Sequence, residues 1–169
     1  MSPPTGRRDA EHVFRTLAGP VHGYLRASGA RESDDLLGDV FVDVTRSLAR
    51  FEGDDDALRR WVFTIAHNRL VDERRRVERR RRLAPVAAAP SASQPEPFDP
   101  ELEAALGQLT ADQRDVIVLR FVADLPLDAV ASLTGRNVTA VKALQHRALA
   151  RLQSLLRVSD TLEVRSRAG

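Results

Sequence analysis

Val13, Phe14, Leu17, Val21, Tyr24 and Leu25 keep the three- and four-residue spacing of one helix face, and Gly19-Pro20 is expected to kink or split that helix. A second helix is predicted from Ser33 as N-cap, with Asp34 and Asp35 in its positive first turn. Its apolar face carries Leu37, Val40, Phe41, Val44 and Leu48. In a third, Leu58, Val62, Ile65, Ala66 and Leu70 fall on one side at about 100° per residue, with Arg60, Thr64, His67 and Asn68 opposite and Trp61 at the border.

The apolar period then stops. LAPVAAAPSASQPEPFDP, residues 83–100, holds five prolines and no basic residue, which predicts a linker. In a polyproline-like form it would reach about 56 Å at about 3.1 Å per residue, a spacer between two domains. The expected organisation is a helical domain over 1–82, the linker, and a second helical domain over 101–169 ending in a short polar tail.

Helical signals resume at Asp99-Pro100, an N-cap followed by proline at the first helical position, and continue through Leu102, Leu106 and Leu109. Thr110 and Gln113 predict a capping box for a helix with Val116, Ile117, Leu119 and Phe121. A short helix, LDAVASLTG, closes at Gly135. Asn137 then caps VTAVKALQHRALARLQSLL, with Val141, Leu144, Ala148, Leu152 and Leu155 facing inward. A short helix, a tight glycine-containing turn and a longer basic helix form a helix-turn-helix pattern. The fold class is therefore all-α.

Charge adds a division between surfaces. Residues 30–57 hold nine acids and three arginines, whereas 58–82 hold ten arginines and three acids, so the sign reverses between neighbouring helices. Two surfaces of opposite charge imply two kinds of partner. The basic set is twenty-five arginines and one lysine, Lys142, which points to anions, although a GC-rich genome would also favour arginine. Arg74 and Arg75 open a run, 74–82, in which seven of nine positions are arginine, and phosphate contact fits it better than a solvated helix end. Trp61 fits either a boundary tryptophan covering the core or an aromatic that stacks on exposed bases beside an amide and a guanidinium. Opposite the apolar stripe of the last helix stand Thr139, Lys142, Ala143, His146 and Arg147, groups suited to base edges and phosphates in a major groove.

Other chemistries find little support. Without cysteine there is no disulfide, thiolate metal site or cysteine nucleophile. Asp34, Asp35, Asp39 and Asp43 could be imagined around magnesium, but they line one helix, whereas a two-metal site draws ligands from converging elements. No Gly-rich phosphate loop or Ser/His/Asp set accompanies them, so no catalytic residue, metal or cofactor is expected. A dimeric helix-turn-helix repressor would leave the basic segment before the linker without a role. The first residues lack an apolar signal core, and no run of about 18 apolar residues occurs. A cytoplasmic protein without membrane contact is expected.

Three motifs together resemble bacterial extracytoplasmic-function (ECF) sigma factors, the two-domain specificity subunits of RNA polymerase. ESDDLLGDVFVDVTRSLARF is similar to their region 2.2, LRRWVFTIAHNRLVDERRR to regions 2.3 and 2.4, and LTADQRDVIVLRFVADLPLDAVASLTGRNVTAVKALQHRALARL to region 4. The resemblance implies that Asp35, Asp39, Phe41 and Asp43 contact the clamp helices of the largest polymerase subunit. Arg60, Trp61, Thr64, His67, Asn68, Arg74 and Arg75 would contact the minus-10 element and its separated strand, and the loop 52–57 would hold a flipped base. Arg120, Thr139, Lys142, Ala143, His146 and Arg147 would read the minus-35 element. The second domain would also meet the polymerase beta flap, the linker would follow the nascent-RNA path, and an anti-sigma protein is a further expected partner. Gly38 departs from the family's usual glutamine, Arg136 from an apolar turn residue, and Pro126 from a hydroxyl cap.

Overall fold

The structure is a computed structural model that describes residues 9–83 and 99–167; the linker expected between them lies, but for its end residues, outside the described residues. Among the described residues there are α-helices and one short 3-10 turn, and no strand. The chain divides into two units.

The first unit is built from α1 (Ala10–Ala27), α2 (Ser33–Ser47), the 3-10 turn Leu48–Arg50 and α3 (Asp55–Leu83). Its core joins Val13, Leu17, Val21, Tyr24 and Leu25 of α1 to Val40, Phe41 and Val44 of α2 and to Val62, Phe63, Ala66 and Leu70 of α3. Helix α1 is not split at Pro20. Proline removes one amide donor, but Val13 and Leu17 before it and Val21 and Tyr24 after it bury on one continuous face, which holds the helix together.

Two local expectations fail at helix starts. Ser33 is not the N-cap of α2: Glu32 stands there without a side-chain bond, and the Ser33 hydroxyl is instead 3.2 Å from His22 Nε2. The same nitrogen lies 3.0 Å from Asp34 Oδ1, so the first turn of α2 is tied to α1 through side chains. The segment 52–57 is only partly a loop. Asp54 caps α3 by accepting from the Ala57 amide at 2.8 Å, and Asp55 and Asp56 lie in the first helical turn, where the dipole favours acids. Gly53 has φ +151°, and an added Cβ would stand 2.9 Å from the Ala57 methyl group, so this entry to α3 needs glycine.

The second unit contains α4 (Pro100–Gly107), α5 (Ala111–Phe121), α6 (Leu127–Thr134) and α7 (Val138–Arg167). Its caps follow from the sequence. Asp99 accepts from the Glu101 amide at 3.0 Å, with Pro100 at the first helical position. Thr110 and Gln113 form both halves of a capping box, Gly135 ends α6 at φ +64°, and Asn137 accepts from the Ala140 amide at 2.8 Å. Arg114 donates to the Leu106 and Gly107 carbonyls at 2.8 and 2.9 Å, satisfying the end of α4. Helices α4, α5 and α6 all pack on α7, which buries Val141, Leu144, Ala148 and Leu152. Helical backbone continues to Arg167, because residues 157–167 contain no proline or glycine to stop it.

Candidate nucleic-acid interface

In the second unit, Thr139, Lys142, Ala143, His146 and Arg147 are all exposed, while Val141, Leu144 and Ala148 between them are buried. Because the inward residues recur every three to four positions, the outward ones form one stripe along the first turns of α7. That end is fixed by Asn137 and by a 2.5 Å ion pair from Arg136 to Asp112 at the start of α5. The charged Arg136 in the turn thus has a partner one helix away. Arg120 is placed differently: it is half-buried and donates to the Leu125 carbonyl, bracing the link between α5 and α6. It is not part of the α7 stripe.

In the first unit, Arg60 and Asn68 are exposed on α3, with Thr64 half-buried between them and its hydroxyl donating to the Arg60 carbonyl at 2.7 Å. Trp61 is half-buried against Phe51, ring centroids 5.0 Å apart, so it borders the core and stays partly exposed. Arg75 is exposed and Arg74 half-buried farther along the helix.

His67 corrects the helical-wheel expectation. It is 6% exposed and shares a 2.9 Å hydrogen bond through Nδ1 with the Tyr24 hydroxyl. Phe63 is fully buried, edge-on to Tyr24, whereas Ile65, expected inside, is half-buried. The reason is that α3 is covered on two sides, by α2 and by α1, and buries a broader stripe than a single packing face requires.

On α2, Asp35 and Asp39 are exposed. Phe41 is 7% exposed and edge-on to Phe14, so its side chain belongs to the contact with α1. Leu36, not Leu37, is the buried leucine of the first turns. Asp43 is half-buried and accepts from Arg69 Nε at 2.6 Å. The four aspartates of α2 do not converge, since Asp34 faces His22 and Asp43 faces Arg69.

Comparison with known proteins joins these surfaces. Residues 13–81 match the model for sigma-70 region 2, and residues 100–152 match the model for sigma-70 region 4. RNA polymerase sigma factor CarQ of Myxococcus xanthus is 32% identical over 162 residues, spanning 89% of this chain and 91% of that protein. The chain belongs to the ECF sigma factors of the sigma-70 family.

Another similar sigma factor is ECF RNA polymerase sigma factor ShbA of Streptomyces griseus, 31% identical over 72% of this chain and 70% of its own. Among solved structures, the sigma factor RpoE in complex with the anti-sigma factor NepR from Bartonella quintana has a TM-score of 0.75. At 23% identity it covers 88% of this chain and 96% of that one, a likeness of fold. Sigma factors direct promoter-specific initiation by RNA polymerase and are not themselves catalysts. Among the described residues of this sigma factor, no helix is long and apolar enough to cross a membrane.

Sequence reasoning missed Arg69 and Phe51, each of which contacts a candidate site residue, and His22, which ties Ser33 and Asp34 to α1. Arg69 had one visible signal, an arginine beside the apolar stripe of α3 and opposite in sign to Asp43 beside the stripe of α2.

Proposed function

We propose that this sigma factor holds core RNA polymerase through the exposed acids of α2, Asp35 and Asp39, while two other helices contact promoter DNA. Arg60, Thr64 and Asn68 on α3, bordered by Trp61 and followed by Arg74 and Arg75, meet the minus-10 element and its separated strand. Arginine there binds phosphate, and the amide and hydroxyl contact bases that duplex DNA would hide. Thr139, Lys142, Ala143, His146 and Arg147 on α7 enter the major groove at the minus-35 element. The observation that carries this reading is the α7 stripe, five exposed residues of base- and phosphate-contacting type alternating with a buried apolar set.

The domain division we propose is 1–82 for polymerase and minus-10 DNA, 83–100 as linker and 101–169 for minus-35 DNA. This places the protein in the cytoplasm, with the polymerase. An anti-sigma protein is part of the proposal, supported by the similar RpoE being found in such a complex. The test is run-off transcription on genomic fragments with core polymerase from the encoding bacterium. The expected result is discrete start sites that depend on the added chain. Tight binding of the chain alone as a dimer to duplex operators, with no change in transcript starts, would favour a repressor instead.

A further inference from the structure

Asp43 lies on α2 and Arg69 on α3, and one carboxylate oxygen, Asp43 Oδ2, accepts from Arg69 Nε at 2.6 Å and from Nη2 as well. The side chains are 28% and 36% exposed, so water competes only partly for either charge. The hydrogen bond to Asp43 holds the Arg69 guanidinium above its ordinary pKa; burial opposes it, and Asp39 and Asp72 add attraction. A planar guanidinium fork fixes orientation as well as separation. The ion pairs Arg75–Asp72 and Arg82–Glu78 lie within α3 and hold it against nothing else. Asp43–Arg69 spans two helices. One turn before it on α2 stands exposed Asp39, and the residue before Arg69 on α3 is exposed Asn68.

We propose that the Asp43–Arg69 pair is a positioning clasp that sets α3 against α2, keeping the face of Arg60, Thr64 and Asn68 in register with the acidic face of α2. Asp43 accordingly serves strand opening, and Asp35 and Asp39 serve polymerase docking. The inference rests on the two-face reading above. It deepens that reading: with α2 anchored on polymerase, the clasp decides where the base-contacting side chains stand when the duplex opens. Side chains that must meet a target within a fraction of an ångström depend on such supporting contacts.

The experiment uses the full chain with core polymerase and a promoter recovered by run-off transcription. Wild type, Asp43→Asn, Arg69→Gln and the charge swap Asp43→Arg/Arg69→Asp are compared for polymerase affinity and for permanganate reactivity of minus-10 thymines over time. Both single variants should bind polymerase within about threefold of wild type and open the promoter about five- to tenfold more slowly, with the swap recovering most of the rate. Loss of polymerase binding in Asp43→Asn alone, without rescue by the swap, would make Asp43 a docking residue and overturn the proposal. Unchanged opening in both single variants would overturn it equally. Should Arg69→Gln fail to fold, Arg69→Lys retains the charge but not the fork. Slowed opening with normal polymerase affinity then supports the clasp, and normal opening refutes it. A wild-type chain that forms no holoenzyme would refute the two-face reading itself, before any variant is measured.

Discussion

Helices α3 and α7 both carry a candidate DNA-contacting face, and they differ in how much of their circumference is buried. Helix α7 buries one stripe, Val141, Leu144, Ala148 and Leu152, and leaves the opposite side to solvent. Helix α3 packs against both α1 and α2, so Phe63 and His67 join Val62, Ala66 and Leu70 in the core. A helix packed on one side announces its free face through periodicity. A helix packed on two sides uses part of its polar sequence internally, and His67 is such a residue.

The most forceful way to break this contrast is to truncate His67. If it is a core residue, His67→Ala removes a buried ring and its hydrogen bond with the Tyr24 hydroxyl, destabilising the first unit by about 2–4 kcal/mol. For a unit of this size that is a fall in Tm of roughly 10 °C or more, read by thermal denaturation. A variant with unchanged Tm and slower promoter opening would instead return His67 to the DNA face. On α7 the corresponding change should spare the fold. Lys142→Ala should weaken minus-35 recognition by about 1–3 kcal/mol in footprinting, with Tm unchanged. Smaller still is the cap that aims α7. Asn137→Ala should reduce stability by about 1 kcal/mol, visible as a few degrees in Tm and a modest loss of DNA affinity. An effect on α7 larger than that of His67→Ala on α3 would reverse the comparison.

Legibility followed the same division. In the second unit Asp99, the Thr110–Gln113 box, Gly135 and Asn137 all stand where short-range sequence signals put them, because each cap is a contact between residues two or three apart. In the first unit the determining contacts join distant residues. His22 displaced the expected Ser33 cap, Tyr24 drew His67 inward, and Arg69 engaged Asp43, none of which a window of neighbouring residues contains. Pro20 shows the same thing in reverse, since a local breaker lost to a continuous buried face. Of the candidate site, the α7 stripe was readable residue by residue. On α2 and α3 the opposite charge of the two segments was readable, but which members are free to meet a partner depended on packing.

We propose that separate faces of one chain engage polymerase and promoter. This is tested most directly by measuring core polymerase affinity and minus-35 protection side by side for Asp39→Arg and Arg147→Ala. Charge reversal at Asp39 should weaken the polymerase complex and leave the candidate stripe of α7 unaltered. Arg147→Ala should leave polymerase binding intact and lose minus-35 protection. Equal loss of both properties in both variants, with the proteins folded, would contradict the account.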